Sequence, residues 1–214
     1  MQFTKENYTK ICDELAEKTP VFAKIIAKYG YPHYITREAN FATLTRLIVE
    51  QQVSLSSAKA TFDRLKLAVN GELTPKNVLK LSDETLKGAT LSRQKITYIR
   101  ILAQAMEENT LVLADLNDLS DDAARAKLTA LKGIGAWTSD VYLMECLQRT
   151  DIFPIGDVAL RSAMKQCFDL PKETTHEELI ALAEQFRPYR SLATMLFWHH
   201  YLSVKNMDLQ ALIS

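Results

Sequence analysis

The sequence predicts an all-α protein, and three observations support this prediction. Apolar residues recur at helical spacing along most of the chain. Glycine and proline number only 6 each among 214 residues, so few residues interrupt helices. No long segment alternates apolar and polar residues with period two, which is the pattern of a half-buried strand. The length fits one large domain or two small lobes, and we expect two helical lobes that share a cleft.

In the N-terminal half, apolar spacing and capping residues predict five helical segments. A polar stretch over residues 50–57 predicts a break inside the longest of them, and Gly88 is expected to close a short one. Ser and Thr are favoured N-caps, and proline is favoured at the first helical position. The predicted segments are Val21–Ile26 closed by Gly30, residues 39–69, and helices opened by Thr74, Ser82 and Ser92.

In the C-terminal half, the same reasoning predicts five more helices. Thr175 with Glu178 has the spacing of a capping box, in which each residue satisfies a backbone N–H group of the other. The predicted helices cover about residues 120–131, 136–148, 157–168, 179–186 and 190–204.

Charge and cysteine usage exclude several classes of protein. Lys and Arg total 26, as do Asp and Glu, so a nucleic-acid partner would need a local basic patch. Cys12, Cys146 and Cys167 are too few and too far apart for a disulfide framework, a zinc motif or a four-cysteine iron–sulfur cluster. The start of the chain lacks a secretory signal, and no apolar stretch reaches about 18 residues. We therefore expect an intracellular protein with no membrane partner.

The most specific segment is Leu131–Thr138, between two predicted helices. Gly133 and Gly135, one residue apart, allow a tight hairpin with positive φ and no Cβ over the turn. Backbone N–H groups at the start of the second helix attract a phosphate whatever the base sequence. A plain helical hairpin, with glycines for close packing, is the alternative, and the glycines alone do not decide between the two.

Residues 131–161 add a Gly/Pro-containing loop and Asp157 to this hairpin, and the combination resembles the helix-hairpin-helix DNA glycosylase superfamily. The resemblance to its 3-methyladenine DNA glycosylase II branch runs in order over about residues 20–204. It implies the helix-hairpin-helix DNA glycosylase fold, with two helical lobes around a central cleft and the hairpin at about residues 120–148. Residues 1–214 would form a single compact core without the N-terminal β-rich domain of larger members. The further matching segments are Ile48–Ser54, Leu91–Lys95, and Arg187–Ser191 followed by Trp198.

The resemblance implies a monofunctional base-excision repair glycosylase. Such an enzyme flips alkylated purines of the 3-methyladenine and 7-methylguanine type out of duplex DNA and hydrolyses the glycosidic bond. Asp157 is implied as the catalytic carboxylate, and it can also be the N-cap of the next helix. In glycosylase-lyase members a Lys follows the hairpin; here that residue is Trp137, so no amine can attack C1′. We expect duplex DNA as the partner, a monomer, and a location at the nucleoid in the cytoplasm or in the nucleus.

Other residues match the family's base pocket and DNA-contacting positions. Trp137 and Trp198 resemble aromatic walls that stack on a cationic base, although both could be core residues. At the predicted helix break, Gln51 and Gln52 match the position that fills the gap left by a flipped nucleotide, and Gln52 is the candidate. Two surface glutamines are the alternative. The hairpin residues expected to contact DNA are Lys132, Gly133, Ile134 and Gly135.

A basic patch is predicted around Arg93 and Lys95. No Asp or Glu lies between Lys87 and Ala105, a segment that also contains Arg100. Such a patch would hold phosphates in a chain without net charge. A solvated helix face is the alternative.

The resemblance also implies a monovalent cation at the hairpin, held by the backbone carbonyls of Thr129, Leu131 and Ile134. No other cofactor and no iron–sulfur cluster is expected. A structural ion pair is expected for Arg190. Two alternatives for the function stay open: a non-catalytic DNA-binding module in which Asp157 only caps a helix, and a glycosylase for other bases such as hypoxanthine or uracil.

Overall fold

The structure, a computed structural model, describes residues 1–207 and is all-α, as predicted. Across those residues, an isolated bridge between Gln2 and Arg149 is the sole β pairing. Two short 3-10 helices cover Leu113–Asp118 and Glu184–Phe186. The α-helices are α1 Tyr8–Lys18, α2 Pro20–Tyr29, α3 Phe41–Glu50, α4 Leu55–Ala68, α5 Pro75–Leu79, α6 Asp83–Gly88, α7 Arg93–Glu107, α8 Asp121–Thr129, α9 Ala136–Glu145, α10 Val158–Cys167, α11 His176–Ala183 and α12 Arg190–Val204.

Side-chain caps begin many of these helices. At each, a hydroxyl oxygen accepts a hydrogen bond from the backbone N–H three residues further on, which contributes about 1 kcal/mol per cap. The predicted capping box of Thr175 and Glu178 is present with both of its hydrogen bonds. The residues that cap in this way include Ser54, Thr74, Ser82, Ser92, Ser120 and Thr175.

The structure differs from the predicted helices in three places. α1 was not predicted, although Tyr8, Ile11, Cys12 and Leu15 have helical spacing and are buried. The 3-10 helix before α8 was also missed. Gly88 does not close its helix with a left-handed turn: it is the last residue of α6, and Thr90 has the positive φ of 65° instead.

The described chain divides into two compact units. The first contains Met1–Thr36 and the described residues from Leu143 onward, and the second contains Arg37–Tyr142. In the first unit, the rings of Phe22, Phe186 and Phe197 pack with centroids 5.0–5.8 Å apart. This aromatic core supports α10 and α12, which pack on each other.

The second unit is built around α3 and α7, which pack on each other. Leu44, Leu47 and Ile48 of α3 and Ile99 of α7 are fully buried. Because α3 ends and α7 begins near the hairpin between α8 and α9, the core formed by α3 and α7 fixes the elements that surround the hairpin. Within residues 1–207, no helix is long and apolar enough to cross a membrane.

Candidate functional site

The hairpin lies in the second unit, between α8 and α9. It turns through residues 130–135, and the backbone N–H of Ile134 donates to the Leu131 carbonyl at 3.0 Å. Ile134 is buried and anchors the turn, whereas Lys132 and Gly135 are exposed. The exposed backbone at the start of α9 is therefore the part of the hairpin that a phosphate can approach.

Gly133 is required at its position for two independent reasons. Its φ is +104°, in the region that favours glycine. A Cβ added there would lie 2.3 Å from Cγ and 2.5 Å from Cβ of Tyr98 on α7. Gly133 therefore lets the hairpin backbone pack directly against the side chain of Tyr98.

Gly135 differs from Gly133, and this corrects the expectation that both glycines take positive φ. Its φ lies outside the left-handed region, and no heavy atom comes within 4 Å of a Cβ added there. The space above Gly135 is open, so a ligand can reach this part of the backbone.

An ion pair joins the two helices of the hairpin. Arg125 on α8 donates from Nε to Oδ1 of Asp140 on α9 at 2.7 Å. Asp140 is 6% exposed, so its charge is balanced inside the unit. Arg125 also contacts Asp122 on its own helix at 2.8 Å. The pair fixes α8 and α9 relative to each other and thereby fixes the turn.

The loop after α3 is bound to the hairpin through Gln51. Its side-chain Nε2 donates to the Gly133 carbonyl and to the Thr138 hydroxyl, both at 2.9 Å. Gln51 is half-buried and Thr138 is buried. Gln51, predicted to contact DNA, thus binds the hairpin.

Lys95 is placed differently from our expectation. Its Nζ donates to the carbonyls of Val49 and Gln51 at 2.7 and 2.9 Å. Burial lowers the pKa of the Lys95 ammonium group. Because two of its three donors face the end of α3, the structure favours an internal role over the predicted phosphate contact.

Gln52 is exposed and has φ +57°, a conformation that favours glycine. A residue with a Cβ is disfavoured there by about 1–2 kcal/mol. Such strain persists where the surrounding structure imposes it, and it is often found at functional positions. Its exposure and strained backbone are compatible with the gap-filling role predicted for Gln52.

Part of the predicted basic patch, namely Lys87, Arg93 and Arg100 but not Lys95, lines a groove of about 450 Å³ together with Asp83. Lys87 and Arg93 are exposed at this groove. Arg100 is less available to a phosphate than Lys87 and Arg93, because its guanidinium donates to Asp83 Oδ1 at 2.7 Å and to the Leu81 carbonyl at 2.8 Å. Asp83 lies just outside the acid-free stretch, so the patch is narrower than the sequence indicates.

Asp157 lies in the first unit and caps α10. Its Oδ1 accepts from the backbone N–H of Leu160 at 2.7 Å and from the indole N–H of Trp198 at 3.0 Å. The carboxylate is half-buried and lies at the positive end of the helix dipole, which stabilises its negative charge. Capping is therefore present, and the same contacts hold the carboxylate in one orientation.

The segment that leads to Asp157 is fixed by the first residues of α12. The Ser191 hydroxyl donates to the Arg149 carbonyl at 2.6 Å and accepts from the Ile152 N–H at 2.9 Å. Arg190 donates from Nε to Asp151 at 2.8 Å, which is the predicted ion pair. This segment is thus bound to the same helix that carries Trp198.

Trp198 borders a cavity of about 200 Å³ in the first unit. Its indole N–H reaches Asp157, a contact that the sequence did not indicate. The His199 Nε2 lies 3.2 Å from the Tyr29 carbonyl and must donate to it, and burial lowers the His199 pKa. The other residues that line the cavity include Pro32, His33, Ile35, Met195 and Leu202.

Trp137 is half-buried on α9 in the second unit. Tyr142 on the same helix is fully buried and belongs to the core. The pocket role of Trp137 stays a prediction.

Sequence reasoning missed the contacts that support the hairpin and those that support Asp157. The contact between Tyr98 and Gly133 and the hydrogen bond from Trp198 to Asp157 each join residues 35 or more positions apart. Local sequence pattern therefore gives no signal for either contact. The segment Leu91–Lys95, which matches the family, identified Lys95 as a candidate site residue. It gave no indication of the carbonyls to which Lys95 donates.

Both the sequence and the structure of the chain are similar to those of known proteins. Residues 45–188 match the family described as HhH-GPD superfamily base excision DNA repair protein. DNA-3-methyladenine glycosylase 1 of Schizosaccharomyces pombe is 26% identical over 187 residues, which cover 86% of this chain and 82% of that protein.

Solved structures agree with this match. The Schizosaccharomyces pombe 3-methyladenine DNA glycosylase in complex with abasic DNA has a TM-score of 0.79 at 25% identity, with 88% of this chain and 95% of that chain covered. The Bacillus halodurans DNA-3-methyladenine glycosidase has a TM-score of 0.75 at 29% identity, with 96% and 94% covered.

Proposed function

Because the chain belongs to the HhH-GPD superfamily of base excision DNA repair proteins, we propose that it is a DNA-3-methyladenine glycosylase. It flips an alkylated purine out of duplex DNA, hydrolyses the N-glycosidic bond and leaves an abasic site. The observation that carries this proposal is the Asp157 carboxylate, held at the start of α10 by the Leu160 N–H and the Trp198 indole.

The carboxylate supplies the electrostatic part of catalysis. Breaking the glycosidic bond develops positive charge on the deoxyribose, as in an oxocarbenium ion. A carboxylate already fixed in orientation stabilises this charge without reorganising during the reaction. Asp157 can also orient the attacking water and accept its proton.

One carboxylate suffices for an alkylated purine. Glycosidases usually add a second acid that protonates the leaving group. A base such as 3-methyladenine or 7-methylguanine is already cationic, so it leaves as a neutral molecule without that proton. Neutral bases such as hypoxanthine or uracil are poorer leaving groups and are expected to react more slowly.

DNA binding is assigned to the second unit. The open space over Gly135 lets a phosphate approach the start of α9, and the exposed side chains of Lys87 and Arg93 add positive charge. Gln52 is the residue that fills the gap in the duplex. An extruded base costs a few kcal/mol, and less when damage has weakened its stacking, which favours damaged sites.

The proposal includes no lyase step. Trp137 stands where lyase members carry an attacking Lys, so the chain offers no amine at that position. The product is then an intact strand with an abasic site.

A monovalent cation at the hairpin fits the available ligands. The Leu131 carbonyl accepts one hydrogen bond, from Ile134, and a carbonyl oxygen has a second lone pair. The carbonyls of Thr129, Leu131 and Ile134 would hold the ion, and a hard cation suits an all-oxygen site. The ion would supply positive charge beside a bound phosphate.

We further propose that the protein acts as a monomer. Its substrate places it in the compartment that holds DNA: the nucleoid region of the cytoplasm, or the nucleus.

The test is release of 3-methyladenine and 7-methylguanine from methylated duplex DNA by the wild type and by Asp157→Asn. We expect the variant to lose at least about 100-fold in rate, a size typical of losing one electrostatic group. Its stability should stay within about 0.5 kcal/mol, because Asn caps helices about as well as Asp. Asp169→Asn is the matched control, since it removes the same charge from an exposed residue just after α10.

Each reaction is split, and one half is treated with alkali, which breaks strands at abasic sites. Strand breaks only after alkali support a monofunctional enzyme, and breaks without alkali refute the absence of a lyase step. Equal rates for the wild type and Asp157→Asn contradict the role of the carboxylate. DNA binding by the wild type without release of any base would favour a non-catalytic module.

A further inference from the structure

The loop between α3 and α4, residues 51–54, is held from two sides. On one side the Lys95 ammonium donates to the carbonyls of Val49 and Gln51. These carbonyls lie at the C-terminal end of α3, where carbonyl groups lack helical partners and a positive charge is favoured. Lys95 therefore fixes the backbone on which the loop begins.

On the other side, the Gln51 side chain holds the loop to the hairpin. Its amide donates to the Gly133 carbonyl and the Thr138 hydroxyl, both at 2.9 Å. Gln51 is thus bound through its carbonyl to α7 and through its side chain to the hairpin. Movement of the loop would break hydrogen bonds on both sides.

Gln52 directly follows this doubly held residue. Its side chain is exposed and its backbone has φ +57°. A residue in this conformation relaxes when its neighbours are free to move. The contacts of Lys95 and Gln51 prevent this and keep the Gln52 side chain projecting from a fixed point.

We propose that Lys95 and Gln51 are positioning residues that hold Gln52 ready to fill the gap in the duplex and that couple this loop to the phosphate-binding hairpin. The inference rests on the proposed function, since it concerns how the enzyme holds DNA from which a nucleotide has been flipped. It assigns Lys95 to damage recognition and not to general attraction for DNA.

The experiment compares the affinity for two duplexes that differ at one site. One carries a tetrahydrofuran abasic-site analogue, which leaves a gap for Gln52, and the other is undamaged. Lys95→Met should lower the preference for the abasic duplex about tenfold, equivalent to about 1.4 kcal/mol at 25 °C. Its affinity for the undamaged duplex, and the dependence of that affinity on salt, should stay within about twofold of the wild type.

Lys87→Met is the matched comparison, because it removes the same charge from an exposed side chain of the basic groove. It should weaken binding to both duplexes equally and reduce the slope of log affinity against log salt by about 1. Gln51→Met, which removes the amide but no charge, should behave like Lys95→Met. Lys95→Arg should retain most of the preference, since a guanidinium can donate to both carbonyls.

Thermal unfolding followed by circular dichroism shows whether each variant is folded. If Lys95→Met does not fold, Gln51→Met decides the matter. A Lys95→Met or Gln51→Met variant that keeps the full preference overturns the proposal, as does a Lys95→Met variant that behaves like Lys87→Met. The proposed function fails separately, if the wild type prefers the abasic duplex but releases no base from methylated DNA.

Discussion

Gly133→Ala is expected to lower the free energy of unfolding by about 2–5 kcal/mol. Forcing a Cβ into the left-handed region costs about 1–2 kcal/mol. The new methyl group would also lie 2.3 Å from Cγ of Tyr98, and forced overlap of this kind costs about 1–3 kcal/mol. The contacted atoms are at the base of the Tyr98 side chain, so rotation of the ring does not relieve the overlap.

Urea denaturation of the wild type and the variant measures this change. Tyr98→Gly separates the two contributions, because it removes both Cβ and Cγ of residue 98, and with them the overlap, and leaves the backbone strain at residue 133. In a double-mutant cycle, Gly133→Ala should therefore be about 1–3 kcal/mol less damaging in the Tyr98→Gly background. A loss below about 0.5 kcal/mol for Gly133→Ala, or a cycle with no coupling, would refute the reasoning.

Gly135→Ala is the matched control in the same turn. Its φ is compatible with alanine and its Cβ meets nothing within 4 Å, so stability should be unchanged or rise by up to about 1 kcal/mol. DNA affinity should fall several-fold, because the methyl group occupies space that a phosphate needs. The two substitutions thus separate the folding role of Gly133 from the binding role proposed for Gly135.

Three further predictions concern the first unit. Trp198→Phe removes the N–H that reaches Asp157, and single-turnover base release should slow about tenfold with stability nearly unchanged; an unchanged rate would contradict this. Ser191→Ala leaves buried backbone groups without their partner and should cost about 2–4 kcal/mol in urea denaturation, whereas Ser203→Ala on the same helix should cost less than about 0.5. Burial lowers the pKa of His199, so this side chain binds a proton more readily in the unfolded chain than in the folded protein. Its contribution to the free energy of unfolding should therefore be complete above about pH 6.5 and be lost progressively below that pH. In His199→Gln the decrease in stability at low pH should be smaller.

Much of the local structure could be predicted because its causes lie close together in sequence. The capping box of Thr175 and Glu178 needs only residues three apart. The hairpin follows from two adjacent helices and from Gly133. The cap at Asp157 follows from an Asp placed directly before apolar helical spacing.

The supporting contacts could not be predicted, because they join distant positions whose side chains have many possible partners. Lys95 follows a capping Ser in an acid-free stretch, and such a residue is more often solvated or bound to phosphate. Its actual partners are carbonyls 44 and 46 residues away, which any backbone segment could supply. The Gly133 contact with Tyr98 likewise depends on how α7 packs under the turn. The motif that contains Lys95 was found, whereas its contacts with the end of α3 were not predicted.

In the proposed function Asp157 both caps α10 and serves as the catalytic carboxylate, and this double task would have an evolutionary consequence. Helix capping at this position can be met by Asn or Ser about as well as by Asp, whereas the chemistry needs a carboxylate. A single substitution at this codon can therefore abolish base removal without a penalty in folding. A descendant that keeps the hairpin and the fold but has lost the proposed activity would therefore be one substitution away from this chain.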